Sequence, residues 1–362
     1  MAASISMNGA ELGVPTVYRR PPPPIFGAID LGTNNCRLML GVPSSAGFRV
    51  IESFSRVVGL GEGLAETGRL ADPAMQRAMD ALRSCAGRLS RYRLAGLTAV
   101  ATEACRRALN GADFLARVRV ETGIDIRIIS AREEAELALE SCSPLLAGCG
   151  SRALIFDIGG GSTELAWVRL DAGGMPPALI GYISLPFGVM TLGACTPYSC
   201  FTEAGFDAMV DVVAERLWRF EDVHRIGLEM HHSSVRLLGT SGTITTVASI
   251  ALKLPRYRRP LVDGVVLAGE VADEAVATLR GMDRAALAAH PCIGNDRADF
   301  VLPGCAIFAA IREVWPTAEV GVADRGLREG MLLRQIRRRR RQGDRRAKGP
   351  VGLDPCIVPP PG

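Results

Sequence analysis

Three short polar turns carry the residue types best suited to chemistry. The first runs from Asp30 through Gly32, Thr33 and Asn34 to Asn35, the second from Asp157 through Gly159, Gly160 and Gly161 to Ser162, and the third is Gly239-Thr240-Ser241-Gly242-Thr243. With few bulky side chains in the way, backbone N–H groups can point at an anion, and the Ser and Thr hydroxyls add further donors. An Asp at a strand end can hold Mg²⁺ directly or through water. One Gly-rich turn is an ordinary structural feature. Two in matched positions plus a third suit a polyphosphate chain or a nucleotide. The spacing is neither that of a Walker loop, since GxxxxGK[ST] is missing, nor that of a dinucleotide fingerprint, since the turns at 32 and 159 lead into strands.

A second set of candidates lies on the segment from Ala131 to Ser141, which carries four glutamates. At 100° per residue Glu133, Glu136 and Glu140 share one stripe, which reads as a solvated acidic face. Glu134 falls with Ala135, Leu137, Ala138 and Leu139 on the inward face. A carboxylate there must be paired, with Arg106 for instance, or functional, and it could orient and deprotonate a water attacking phosphorus. Arg106 and Arg297 could each clamp phosphate oxygens or sit on a helix surface. Cys36 and Cys105 have no histidine near them in sequence and read as buried packing thiols.

The elements that must position these residues follow from hydropathy. Ile25–Leu31 and Cys36–Leu40 read as a hairpin, with a third strand over Phe48–Val58. Pro73–Leu89 and Asp113–Glu121 read as helices, Leu97–Ala101 and Ile126–Ile129 as strands. Ser130 followed by Glu133 gives a capping box for the helix from Ala131. LIFDIGGGSTELAWV then repeats the pattern of IFGAIDLGTNNCRLML 127 residues later: strand, Asp, Gly-rich turn, strand. Two similar domains follow, 25–140 and 141–333. Helices are expected over 202–220, 270–279, 298–314 and 324–340. Residues 1–24, ending in four prolines, are expected to be a disordered arm, and the Arg-rich stretch 334–362 a basic disordered tail.

Composition narrows the class. In 362 residues, 48% are hydrophobic and 22% charged, the mix of a globular protein rather than a disordered one. No apolar run is long enough for a transmembrane helix and no signal peptide is evident, so a cytoplasmic enzyme with no membrane partner is expected. The ten cysteines form no CxxC pair, and the four histidines give no zinc spacing. The net charge of +4 comes from the C-terminal arginines, without which the body is slightly acidic. No aromatic platform accompanies those arginines, so no dedicated nucleic-acid site is expected.

Taken together, AIDLGTNNCRL, ATEACRRALN, ISAREEAELAL, IFDIGGGSTEL, ISLPFGVMTL, LLGTSGTITTVA, DRADFVLPGCAI and VADRGLREGML resemble, in order, the exopolyphosphatase/guanosine pentaphosphatase (Ppx/GppA) family over Ile25–Leu332. The resemblance implies an α/β fold of two actin-like (ribonuclease H-like, ASKHA superfamily) domains with an interdomain cleft. It implies Mg²⁺-dependent release of a terminal phosphate from inorganic polyphosphate or pppGpp. Carried over by position, Glu134 is the general base and Asp30, Asp157 and Glu164 hold Mg²⁺ or its waters. Thr33, Asn34, Asn35 and Arg37, Gly159 to Ser162, Thr240 to Thr243, and Arg297 hold phosphates, and Arg106 completes the positive lining. The first turn departs from the family's usual GSNS: Asn35 replaces a hydroxyl. The chain resembles the short, two-domain members, and the run Arg337–Arg341 is a candidate electrostatic substitute for the extra helical domain of longer ones. Family members are often dimers, but nothing in the sequence locates an interface. A kinase or ATPase on the same fold, or a non-catalytic polyphosphate or alarmone sensor, are the competing readings.

Overall fold

The computed structural model describes residues 22–347 apart from 46, 149, 172–176, 196–198 and 233. The expected arm over 1–21 and the end of the tail, 348–362, lie outside the described residues.

The repeat in the sequence is a repeat in space. The first sheet holds β1 (Ile25–Leu31), β2 (Asn35–Ser44), β3 (Gly47–Val57), β4 (Leu94–Ala101) and β5 (Arg127–Ile128) in the order β3-β2-β1-β4-β5. The second holds β6 (Arg152–Ile158), β7 (Thr163–Arg169), β8 (Ala178–Leu185), β9 (Val235–Thr240), β10 (Val266–Ala268) and β11 (Glu319–Ala323) in the order β10-β11-β9-β6-β7-β8. In each, an antiparallel meander of three strands continues into parallel strands on the other side of the first one. This is the actin-like α/β architecture, present twice. β1 and β6 are central strands covered on both faces, which is why IFGAIDL and RALIFDI read as apolar runs without alternation.

Two helices tie the sheets together. Ser130 caps the helix Ala131–Cys142, its hydroxyl accepting from the Glu133 N–H. This bridging helix leads from β5 to β6. Its Ala135, Leu139 and Cys142 pack on Ala153, Ile155, Ala166 and Val168 of the second sheet. Its Leu137 instead joins Phe26, Ala28 and Met39 of the first. The last helix, Leu327–Ala347, follows β11 but returns to the first sheet, where Leu327, Met331, Leu332 and Ile336 complete that same core. The sequence expectation of a second domain through 333 and a disordered tail from 334 is corrected here. Residues 334–347 are helical because Ile336 is buried and Arg334 and Gln335 are anchored, the latter donating to the Gly27 carbonyl at 2.9 Å.

The acidic stripe is likewise not a solvated face. Arg334 reaches Glu140 at 2.7 Å and Glu133 at 3.4 Å, Arg337 also pairs with Glu140, and Arg127 holds Glu133 at 2.5 Å. The stripe is the seam between the bridging helix and the last helix. At its centre Gly330 lies so close to the Leu137 carbonyl that a Cβ would fall 2.2 Å from the oxygen.

Candidate active site

The two hairpin turns meet face to face. A Cβ on Gly161 would fall 2.6 Å from Thr33 Oγ1, and one on Gly160 would fall 3.2 Å from the Asn34 Cβ, so glycine is what lets the turns close on each other. Both are braced alike. Val58 and Gly59 donate to the Asn34 carbonyl and Gly61 to that of Thr33, while Val189 and Met190 donate to the carbonyls of Gly159 and Gly160. Segments that follow the third strand of each repeat thus occupy the turn carbonyls. Among the described residues no hydrogen bond occupies the N–H groups of Thr33 and Asn34, or of Gly160, Gly161 and Ser162. Those donors remain for an anion.

Between the domains lies a cleft of about 470 Å³. Asp30, Thr33, Asn34, Asn35, Arg37, Glu134, Asp157, Gly159 to Ser162, Glu164, Ser241, Gly242, Thr243 and Arg297 all line it. Two expected residues do not. Thr240 is buried and its hydroxyl donates to the Arg325 carbonyl, tying β9 to the start of the last helix. Arg106 sits behind Glu134, with its nitrogens shared among Glu103 at 2.5 Å, the Ile129 carbonyl at 2.9 Å and Glu134 at 3.1 Å.

Four buried carboxylates, Asp30, Glu134, Asp157 and Glu164, converge in the cleft. In the strand register Asp30 stands opposite Arg37, whereas its counterpart Asp157 stands opposite Glu164, so the second repeat places two acids where the first places an acid and a base. Burial, reinforced by Asp157, pushes Glu164 up to about 7 although Ser162 and Ser184 donate to it. Burial and the charges of Glu164 and Asp157 also raise Glu134 well above the usual carboxylate range, against the pull of Arg106. Asp157 is raised by burial, with Ser241 and Arg37 opposing. Ser241 reaches Asp157 from a left-handed backbone at φ 76°, a strained conformation for a side chain at the opening of its helix. Cys36 and Cys105 are buried, and burial pushes Cys105 up to about 12, consistent with packing thiols.

Asp30 tests the fit of a cation. Its Oδ1 is buried with no hydrogen-bond partner among the described residues, an expensive state for a carboxylate unless something positive meets it. Among the described residues no group of three or more His, Cys, Asp or Glu is placed to hold a metal ion by itself. Separate carboxylates beside glycine-rich turns suit Mg²⁺ only as an ion that keeps waters and shares its coordination with a bound phosphate.

Sequence reasoning passed over Thr102, Asp296 and Phe300, which also line the cleft. Thr102 and Phe300 lie inside the quoted ATEACRRALN and DRADFVLPGCAI segments, and Phe300 stands one helical turn beyond Arg297. That spacing was the available signal.

Two actin-like domains closing on a cleft of carboxylates, arginines and glycine-rich turns are the architecture of the ASKHA class. Within that class the chain belongs to the Ppx/GppA phosphatase family, whose family model matches residues 42–339. It is 28% identical over 314 residues to a Haemophilus influenzae protein carrying a provisional exopolyphosphatase name, covering 85% of this chain and 90% of that one. Among solved structures it resembles the Aquifex aeolicus member of the Ppx/GppA family, with 26% identity, a TM-score of 0.74, and 88% and 99% of the two chains covered. It also resembles an exopolyphosphatase-like protein, with 28% identity, a TM-score of 0.76, and 87% and 98% covered. No helix among the described residues is long and apolar enough to cross a membrane.

Proposed function

We propose that the protein is a phosphoanhydride hydrolase that releases the terminal phosphate of inorganic polyphosphate or pppGpp, with Glu134 as the base that activates water. The observation that carries the reading is the placement of Glu134. It is only 7% exposed, on the inward face of the helix that bridges both sheets, and it still lines the cleft onto which the phosphate turns open. A carboxylate made more basic by burial and neighbouring acids, and lining the cleft, is suited to accept a proton from an attacking water.

In this reading the N–H groups of Thr33, Asn34, Gly160, Gly161 and Ser162 bind the terminal phosphoryl oxygens, and Thr243, Arg37 and Arg297 bind oxygens further along the chain. Asp30, Asp157 and Glu164 would hold Mg²⁺, which neutralises charge on the phosphates when bound. Glu134 takes the proton of a water in line with the terminal P–O bond. Arg106 keeps its carboxylate pointed into the cleft and acts as a positioning residue.

The test is phosphate release by purified protein with Mg²⁺ on long polyphosphate, pppGpp and ATP in parallel, with Glu134→Gln as control. Release from polyphosphate or pppGpp that is abolished in the variant supports the reading and selects the substrate. Intact binding with no release from any of the three moves the protein to a sensor.

A further inference from the structure

Four arginines lie between residues 325 and 337, and three have carboxylate partners. Arg325 pairs with Asp263 at 3.2 Å, Arg334 with Glu140, and Arg337 with Glu140. Arg328 takes part in no ion pair or hydrogen bond among the described residues. Yet it is partly buried on the first turn of the last helix, at the edge of the cleft: Gly326 and Leu327 just before it line the cleft, and Arg328 itself does not. Its neighbour Glu329 does not neutralise it by contact, since that carboxylate is taken by Arg259 at 3.1 Å and by the Gly326 N–H at 3.0 Å.

Arg37 is in the same condition. It lines the cleft opposite Asp30 and has no ion pair or hydrogen bond among the described residues. Arg297, on the other wall, spends its guanidinium on the carbonyls of Cys292 and Ile293 and on Thr246, with no carboxylate. Arg328 belongs to this group by position: Leu327, the residue before it, shares a core with Met39 of β2, two residues from Arg37. Burial draws Arg328 below the usual arginine range; Arg37 pushes the same way, while Glu329 and Asp30 oppose. Cations held close together and partly desolvated, with no carboxylate in contact, are unfavourable unless a ligand supplies further negative charge. Elsewhere in this fold arginines of similar burial find acids, so the gap is local to the cleft.

We propose that Arg328 is a substrate-positioning residue that binds a phosphate of a phosphoanhydride chain together with Arg37, from the side of the cleft formed by the last helix. This rests on the phosphate-binding reading of the cleft. Its planar fork can engage two oxygens of one phosphate while Arg37 approaches from β2. It also gives the return of the last helix to the first sheet a chemical consequence: the segment after β11 brings a further cation to the edge of the cleft.

The experiment is tripolyphosphate binding by titration calorimetry in the full chain carrying Glu134→Gln, which prevents turnover. Arg328→Gln and Arg328→Lys are compared in that background, and each is melted without ligand. Arg328→Gln is expected to weaken binding by at least about tenfold, and Arg328→Lys by less, because a charge-assisted bond is lost in the first and a point charge kept in the second. The ligand-free melting temperature is expected to stay equal or rise, since an unpaired, partly buried charge has been removed. An affinity unchanged by Arg328→Gln overturns the assignment while leaving the site reading intact. A large loss of ligand-free stability also overturns it, because it shows that Arg328 serves as a structural counter-ion, to Asp30 for instance. If the parent binds no tripolyphosphate at all, the cleft reading and this assignment fail together.

Discussion

Arg106 Nη1 lies 3.1 Å from Glu134 Oε2, and the same guanidinium is bound by Glu103 at 2.5 Å. The short helix Glu103–Arg107 that follows β4 and the bridging helix thus share one cation. Glu134 is squeezed between two influences: burial, with Glu164 and Asp157, favours its protonated form, and Arg106 favours the ionised one. Replacing Arg106 with Gln removes the charge that opposes protonation and should move the acidic limb of the pH–rate profile to higher pH, besides lowering kcat. A role limited to packing would lower stability without moving that limb. The kcat/KM profile between pH 5 and 9 decides between the two.

Glu134→Gln preserves shape and removes the base. Loss of general-base catalysis costs about 10²–10⁴-fold in rate. Because the environment of Glu134 disfavours its ionised form, the neutral amide should leave the melting temperature near neutral pH unchanged or slightly higher. Single-turnover phosphate release and a thermal melt of the same preparation check both halves.

Glu164 should make stability depend on pH. Its folded-state value of about 7 lies above the ordinary value of 4.5. A carboxyl with a raised folded value binds its proton more tightly in the native state. Its stabilising contribution is therefore complete below about pH 4.5 and lost as pH rises through about 7, on the order of 3 kcal/mol. Glu164→Gln should flatten this slope. Added Mg²⁺ should stabilise the parent more at pH 8 than at pH 5, since a cation competes with the proton for the same carboxylates. Melts across that range with and without Mg²⁺ measure both effects.

Much of this site was legible because it is local in sequence. The repeat around Asp30 and Asp157, the capping box at Ser130 and the inward phase of Glu134 need only strand and helix periodicity. What was not legible depends on pairings far apart in the chain. Glu133, Glu136 and Glu140 look solvated until the last helix brings Arg334 and Arg337 back across about 200 residues to meet them. Arg106 looks free to bind phosphate until Glu103 and the Ile129 carbonyl are seen to hold it. Thr240 sits in a turn of phosphate-binding composition, but its hydroxyl is directed to the Arg325 carbonyl by the β9–β11 pairing. The Arg337–Arg341 run is likewise positioned by distant contacts: Arg337 pairs with Glu140, and Arg340 donates to the Ser44 carbonyl, at the end of β2 roughly 30 Å along the strand from Asn35.

The seam between the bridging helix and the last helix gives the remaining prediction. A methyl on Gly330 would meet the Leu137 carbonyl at 2.2 Å, and a backbone atom cannot swing aside as a side-chain tip can. Gly330→Ala must therefore push the helices apart, at a cost on the order of 2 kcal/mol. Any gain in helix propensity is smaller than that, about 1 kcal/mol. The displacement acts on Leu137, one helical turn from Glu134, so kcat should fall with stability. Truncation after Leu333 should be more damaging, because it removes buried Ile336 as well as the Arg334 contacts to Glu140 and Glu133. Replacing exposed Arg338 to Arg341 with Gln touches none of these contacts to the bridging helix and should leave melting and tripolyphosphate turnover nearly unchanged. Melting temperatures and kcat for the three variants test the order. A truncation as stable as the parent would show that the last helix does not hold the bridging helix in place.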